Sequence, residues 1–92
     1  FDRIKIDLSA KELRVDNIPV PLTKSEYLIC EYLASNKGQV FSKEQIYEAT
    51  FSLYGESDSS TISTHIKNIR SKFEKTGVQP IVTVWGIGYR WE

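Results

Sequence analysis

The strongest constraint on how this chain folds comes from four apolar residues spaced by four, three and four positions in its second half. They are Ile62, Ile66, Ile69 and Phe73. At about 100° per residue, this spacing puts all four side chains on one narrow side of an α-helix, which then packs against a core. We predict a helix that is capped by Ser57 or Asp58 and runs through Lys75, before Gly77 and Pro80 end it.

The side of this helix opposite the apolar stripe carries no acidic residue. It consists of Ser60, Thr64, Lys67, Asn68 and Ser71, flanked by Thr61, Ser63 and Arg70. No Asp or Glu occurs between Ser59 and Phe73, although the chain has 12 of them. Short hydroxyl and amide side chains with two cations suit a helix that approaches a groove and donates hydrogen bonds to phosphates and base edges. The pattern favours a polyanion partner, and the alternative is an ordinary solvated helix face.

Charge is distributed unevenly along the chain, although the net charge is zero. Residues 1–58 hold 7 Lys/Arg against 10 Asp/Glu, whereas residues 59–92 hold 5 against 2. A basic half is a weak hint of a polyanion on that side of the molecule.

The length of 92 residues fits one domain over residues 1–92 with a modest core. The longest apolar runs have three or four residues, far short of the roughly 20 that a membrane helix needs, and no signal peptide precedes them. We therefore expect a cytoplasmic protein with no membrane partner. One cysteine, Cys30, and one histidine, His65, cannot complete a Cys/His zinc site and leave little for catalysis. We expect no metal, no cofactor and no enzyme, and Cys30 in a packing role.

Two capping boxes predict two further helices upstream of the stripe. Residues 23–26 begin the first helix, which residues 36–38 end, and residues 42–45 begin a shorter one that runs to about Thr50. Alternation of apolar and polar residues before the first box, interrupted by a turn at Asp16 and Asn17, predicts a small antiparallel sheet.

The C-terminal segment predicts a β-hairpin. Residues 81–85 and 89–91 are rich in β-formers and are separated by a glycine-containing turn, while residues 39–41 are long enough for a short bridging strand. Trp85 and Tyr89 flank the turn, where they are either exposed contacts or cross-strand packing. Three helices followed by a hairpin is the order of a winged helix.

Four motifs, taken together, resemble the C-terminal effector domain of bacterial two-component response regulators of the OmpR/PhoB type. They are LTKSEY at 22–27, GQVFSK at 38–43, TISTHIKNIR at 61–70 and TVWGIGYR at 83–90. The resemblance covers the whole chain.

It implies an α+β winged helix-turn-helix fold with an N-terminal antiparallel four-stranded sheet, a three-helix bundle and a C-terminal β-hairpin wing. It also implies sequence-specific binding of double-stranded DNA for transcription regulation, as the output domain of such a regulator. The third helix would lie in the major groove and the wing at the minor groove, with direct repeats bound in tandem.

The resemblance also assigns DNA contacts residue by residue. Thr61 and Tyr89 resemble phosphate contacts, while Thr64, Lys67 and Asn68 occupy base-reaching or adjacent backbone-reaching positions. The complete set of expected DNA-binding residues is Ser60, Thr61, Ser63, Thr64, His65, Lys67, Asn68, Arg70, Thr83, Trp85 and Tyr89.

Two of these assignments have structural alternatives, and several positions depart from the family pattern. Arg70 is alternatively part of an intramolecular salt bridge, and His65 is alternatively capped or packed. Arginine is frequent in the family where this chain has Ser60, Asn68 and Trp85. These departures predict weaker phosphate affinity and a different target sequence.

The resemblance extends to partners other than DNA. The loop of Phe51, Ser52, Leu53, Tyr54, Gly55, Glu56 and Ser57 resembles the segment that meets RNA polymerase in many members, although Phe51 replaces a common tryptophan. The alternative for this segment is a plain surface loop. The family also implies a receiver domain, absent from this chain, and a sensor kinase that acts through it. The alternative hypothesis, from a different functional class, is that the chain is a winged-helix protein-interaction module. This hypothesis predicts an apolar exposed face on the third helix.

Overall fold

The computed structural model describes residues 3–50 and 59–92. The elements in chain order are β1 Ile4–Asp7, β2 Glu12–Val15, β3 Ile18–Pro19, α1 Lys24–Ser35, β4 Val40–Phe41, α2 Lys43–Thr50, α3 Thr61–Glu74, β5 Ile81–Val84 and β6 Gly88–Trp91. The three helices lie between an N-terminal and a C-terminal antiparallel sheet, which confirms the α+β winged-helix class. None of the helices in the described part of the chain is long and apolar enough to span a bilayer.

The N-terminal sheet is a meander of three strands in the order β1-β2-β3. Asp16 and Asn17 both have positive φ, 53° and 68°, the geometry of a two-residue hairpin turn between β2 and β3. The four-stranded sheet that the resemblance implies is not seen among the described residues. The strand β3 ends at Pro19. The Val20 amide makes one further hydrogen bond, to Leu13 O at 2.9 Å. Pro21 has no amide proton, so the pairing does not continue beyond this point.

Both predicted capping boxes are present and start α1 and α2. In the first, the Glu26 amide donates to Thr23 Oγ1 at 3.2 Å, and the Thr23 amide donates to Glu26 Oε1 at 2.9 Å. In the second, the Gln45 amide donates to Ser42 Oγ at 3.1 Å, and the Ser42 amide donates to Gln45 Oε1 at 2.8 Å. Each box therefore satisfies two amides that a helix start would otherwise leave without acceptors.

The stripe of α3 is buried, as its spacing predicts. Ile62, Ile66, Ile69 and Phe73 are each at most 1% exposed. They join residues of both sheets and of α1 and α2 in one core that includes Leu13, Ile29, Leu33, Ile46 and Trp91. Cys30 is fully buried in this core, and burial raises the pKa of its thiol, in agreement with a packing role.

The predicted start of α3 is wrong by several residues. The helix begins at Thr61 with Ser60 at the N-cap position, where the Ser60 side chain makes no capping hydrogen bond. Ser57 and Asp58, the predicted caps, lie outside the described residues. At the other end α3 closes at Glu74, and Gly77 takes the positive φ of 78° that the predicted stop requires.

The C-terminal hairpin is part of a three-stranded sheet with the order β4-β6-β5. We call the hairpin of β5, the turn at residues 85–87 and β6 the wing. The predicted bridging strand is confirmed as β4, whose Val40 and Phe41 pair with Arg90 and Tyr89. Gly88 sits so close to β4 that a Cβ there would lie 2.0 Å from Phe41 O. This close approach places the turn end of the wing against the segment that leads into α2.

Candidate nucleic-acid interface

The side of α3 opposite the core is exposed and polar along the helix. The exposed residues there are Ser63, Thr64, Lys67, Asn68 and Ser71, preceded by the exposed Ser60. The first acidic residue of the helix is Glu74, its last residue. From Ser60 to Ser71 the exposed face of α3 is thus free of acids, as the sequence predicts, and Glu74 ends this stretch. The face is not the apolar one that a protein-interaction module requires.

Thr61 and His65 lie at the edge of this face rather than on it. Both are half-buried. Both also interact with other parts of the protein, so neither side chain is free. The DNA contacts predicted for Thr61 and His65 stay predictions.

Arg70 joins α3 to the wing. Its Nη2 donates to Thr83 Oγ1 at 2.6 Å and to Ile81 O at 3.2 Å, and its guanidinium carbon lies 5.7 Å from the centroid of the Tyr89 ring. Arg70 O in turn accepts a hydrogen bond from Gln79 Nε2 at 2.9 Å. The partners of Arg70 are thus a hydroxyl, a carbonyl, an amide and an aromatic ring. Among the described residues, none of these contacts is the salt bridge considered as the alternative for Arg70. Arg70 and Thr83, both predicted to contact DNA, contact each other.

The two aromatic residues beside the wing turn have different environments. Trp85 is 90% exposed, and Ile87, two residues on, is 62% exposed. Tyr89 is half-buried, pairs with Thr83 across the hairpin and packs against the core. Of the two alternatives left open by the sequence, exposure therefore applies to Trp85 and packing largely to Tyr89.

Two shallow depressions connect α3 with the wing into one surface, which we call the α3–wing surface. The first, of about 420 Å³, is lined by Ser63, Ile66, Lys67, Arg70, Ser71, Glu74, Gln79 and Tyr89. The second, of about 380 Å³, is lined by Lys43, Glu44, Ser63, Thr83, Val84, Trp85, Gly86, Ile87, Gly88 and Tyr89. Ser63 and Tyr89 line both, so the surface is continuous from the helix to the wing tip. It carries three cations, with Glu44 and Glu74 as its acids.

Sequence reasoning missed, among others, Lys43 and Gln79 of this surface. Lys43 starts α2 and Gln79 lies between α3 and β5, so both are remote in sequence from the residues they join. Lys43 was visible as part of a capping box, but its position beside the wing depends on the pairing of β4 with β6.

The remaining predicted residues lie outside what the structure describes. They are Phe51 to Ser57, and both the loop predicted there and its contact with a polymerase stay predictions. Within residues 3–50 and 59–92, no group of three or more His, Cys, Asp or Glu side chains is placed to hold a metal ion.

Comparison with known proteins identifies the family of this domain. Residues 17–91 match the family described as "Transcriptional regulatory protein, C terminal". The transcriptional regulatory protein SpaR of Bacillus subtilis is 49% identical over 83 residues, which cover 90% of this chain and 38% of SpaR. The chain thus spans about two fifths of the length of such relatives.

Solved structures agree with this family. The DNA-binding domain of the response regulator AdeR, solved in complex with an intercistronic region, matches with a TM-score of 0.87 at 25% identity and covers 100% of this chain and 95% of that one. The response regulator DrrB, described as a Thermotoga maritima OmpR/PhoB homolog, matches with a TM-score of 0.83 at 29% identity over 99% of this chain and 42% of that one. This chain belongs to the family of C-terminal domains of OmpR/PhoB-type transcriptional regulatory proteins.

Proposed function

We propose that this domain binds double-stranded DNA sequence-specifically and regulates transcription as the output domain of a two-component response regulator. The observation that carries the proposal is the exposed face of α3, which is free of acids from Ser60 to Ser71, is backed by a fully buried stripe and is continuous with the wing. Family membership and the likeness to the AdeR domain, which was solved with a DNA region, support the same reading.

The dimensions and chemistry of α3 fit the major groove. A helix with its side chains is about 10–12 Å across, and the major groove of B-DNA is about 12 Å wide. The exposed serine and threonine side chains keep the helix surface low, so its backbone can approach the base edges. Asn68 offers the paired donor and acceptor that match adenine N6 and N7, whereas Lys67 offers a point charge suited to a phosphate.

The residues at the border of α3 would anchor the phosphate backbone. The resemblance gives this role to Thr61 and Tyr89, with Ser60, Ser63 and His65 nearby. Arg70 and Thr83 are engaged with each other, so we assign them the orientation of the wing relative to α3. With α3 in the major groove, the wing tip would reach the adjacent minor groove.

The wider assembly follows from the family and from the length of its members. The match covers 38% of SpaR, so most of that relative lies outside the matched segment. We propose that the domain of residues 1–92 acts in the cytoplasm beside its own receiver domain, which a sensor kinase controls. We also propose that it binds direct repeats as a tandem dimer and meets RNA polymerase through residues 51–57.

Substitution of two adjacent residues of α3 tests the proposal. A binding site is first selected from random DNA, and each variant is then titrated on that site and on a scrambled duplex. Asn68→Ala should lose about 1–3 kcal/mol on the selected site and little on the scrambled one, because it removes a base contact. Lys67→Ala should weaken both duplexes evenly and reduce the salt dependence by about one unit, because it removes a phosphate contact.

Lys5→Ala is the matched control for the loss of a cation. Lys5 is exposed on β1, in the sheet that does not contain the wing, so its removal should leave both affinities nearly unchanged. If Lys5→Ala weakens DNA binding as much as Lys67→Ala, the effect is one of overall charge and the α3–wing surface is wrongly assigned. If Asn68→Ala keeps full discrimination, this amide does not read a base.

A further inference from the structure

Two large apolar side chains stand in solvent at the tip of the wing, and the proposed function brings this tip to the minor groove without saying what the two side chains do there. Trp85 is 90% exposed and Ile87 is 62% exposed, with Gly86 between them at a φ of +79°. Exposed apolar side chains that cluster at one projecting site mark a contact surface more often than isolated ones do.

The wing tip is held in a fixed place relative to α3. Its strands pair along their whole length, from Ile81 with Trp91 to Val84 with Gly88, and Ile87 N donates to Val84 O at 3.0 Å across the turn. At the base of the wing Arg70 bonds to Ile81 of β5, and next to the turn Gly88 lies against Phe41 of β4. The backbone that carries the apolar pair is therefore positioned before any partner arrives.

The surroundings of the tip favour DNA over a protein as its occupant. The tip opens into the depression that also contains Lys43 and the Ser63 end of α3, so it continues the α3–wing surface. Between Lys75 and Trp91 the sequence has no acidic residue. The α3–wing surface has three cations against two acids, with Glu44 beside Lys43 in the depression at the tip. An apolar tip on this surface fits the minor groove, whose sugar walls and base steps accept apolar side chains between flanking phosphates.

We propose that Trp85, supported by Ile87, is an apolar wedge that enters the DNA minor groove beside α3 and selects a deformable base step. This inference rests on the proposed function, because it requires α3 in the adjacent major groove. Tryptophan differs here from an arginine, which is attracted to the narrow minor groove of stiff A-tracts. A wedge instead unstacks a base step, which costs least at flexible pyrimidine–purine steps such as TA and CA.

Tryptophan fluorescence tests whether the tip meets DNA. The chain has two tryptophans: Trp85 in solvent, and Trp91, which is 3% exposed and packs on Phe73. Acrylamide should quench Trp85 in the free domain, and a saturating selected duplex should protect it. Trp85→Phe provides the control, since the remaining Trp91 signal should respond to neither acrylamide nor DNA.

Duplexes that differ at one step test the selection itself. They share the sequence facing α3 and carry either TpA or ApA at the minor-groove step that footprinting places at the wing. The native domain should bind the TpA duplex about tenfold more tightly, in the range of a single base-pair change. Trp85→Ala should reduce this preference to less than about twofold with an unchanged salt slope, whereas Trp85→Arg should favour A-tracts and steepen the slope by about one unit.

Each failure has a separate meaning. A domain that binds no duplex overturns both the proposed function and the wedge. If the domain binds DNA while Trp85 stays open to acrylamide, or if Trp85→Ala keeps the step preference, the wedge alone is overturned. Protection of Trp85 that rises with protein concentration in the absence of DNA assigns the tip to a second copy of the chain and also overturns the wedge.

Discussion

A buried carboxylate ties the start of α1 to the end of α3, and its removal tests how this small domain is held together. Glu26 Oε1 accepts two hydrogen bonds, from the Thr23 amide at 2.9 Å and from Lys72 Nζ at 2.5 Å. The Glu26 side chain is 4% exposed and that of Lys72 is 29% exposed. Glu26→Gln keeps the shape and the carbonyl acceptor and removes the negative charge.

The expected loss follows from these contacts. A hydrogen bond to a charged group contributes about 1.5–3 kcal/mol, and the partial exposure of Lys72 lets water replace some of it. We therefore expect Glu26→Gln to lower the free energy of unfolding by about 1–2 kcal/mol. The capping box itself should survive, because the box at α2 already uses an amide, that of Gln45.

Urea unfolding of a double-mutant cycle measures this loss. Lys72→Met should cost more than Glu26→Gln, about 2–4 kcal/mol, because it leaves a buried carboxylate without its cation. In the Glu26→Gln background the same change should cost at least about 1 kcal/mol less. Gln45→Glu, which changes charge at an exposed box, serves as the control and should stay within about 0.5 kcal/mol of the native domain. Additive effects of Glu26→Gln and Lys72→Met would refute the reasoning.

Two further predictions concern Arg70 and Tyr27. Arg70→Lys keeps the charge but loses the planar fork that bonds Thr83 and Ile81, so it should lower the free energy of unfolding by about 1 kcal/mol in urea titrations. Arg70→Gln also removes the charge, and it should leave the salt slope of DNA binding unchanged because Arg70 is engaged with the wing; a slope reduced by about one unit would instead make Arg70 a phosphate contact. Burial and the hydrogen bond to Glu31 raise the pKa of Tyr27 from 10.0 to about 12, so the folded state holds this proton more tightly. The stabilisation by this proton is complete below about pH 10 and is lost as the pH rises towards 12. Over this range the free energy of unfolding of the native domain should fall more steeply with pH than that of Tyr27→Phe. Equal slopes of unfolding free energy against pH would contradict the assignment.

Features that depend on neighbouring residues were predictable from the sequence. The capping boxes at Thr23 and Ser42 start helices because each cap and its partner are three residues apart. The stripe from Ile62 to Phe73 is buried because its period matches a helix, which also fixes the opposite, exposed face. The candidate interface on α3 was therefore predictable in outline before any coordinates.

Two kinds of feature were not predictable from the sequence: those for which several neighbouring residues could serve equally well, and those that join residues far apart in the chain. Residues 57–61 offer several hydroxyl or carboxylate caps in a row, so the sequence does not single out the start of α3. The engagement of Arg70 with Thr83 spans 13 residues, and the bond between Glu26 and Lys72 spans 46. Both depend on how the helices and sheets pack, which local patterns do not specify.

The salt dependence of DNA binding tests the central claim most directly. Arg70 is engaged with the wing, so Lys43 and Lys67 are the cations of the α3–wing surface that can neutralise phosphates. A plot of log affinity against log salt concentration should therefore have a slope of about −2 per bound domain. The selected duplex and a scrambled one should give similar slopes, with the selected duplex bound more tightly at every salt concentration. A flat dependence between low and moderate salt would contradict the proposal that this surface binds DNA.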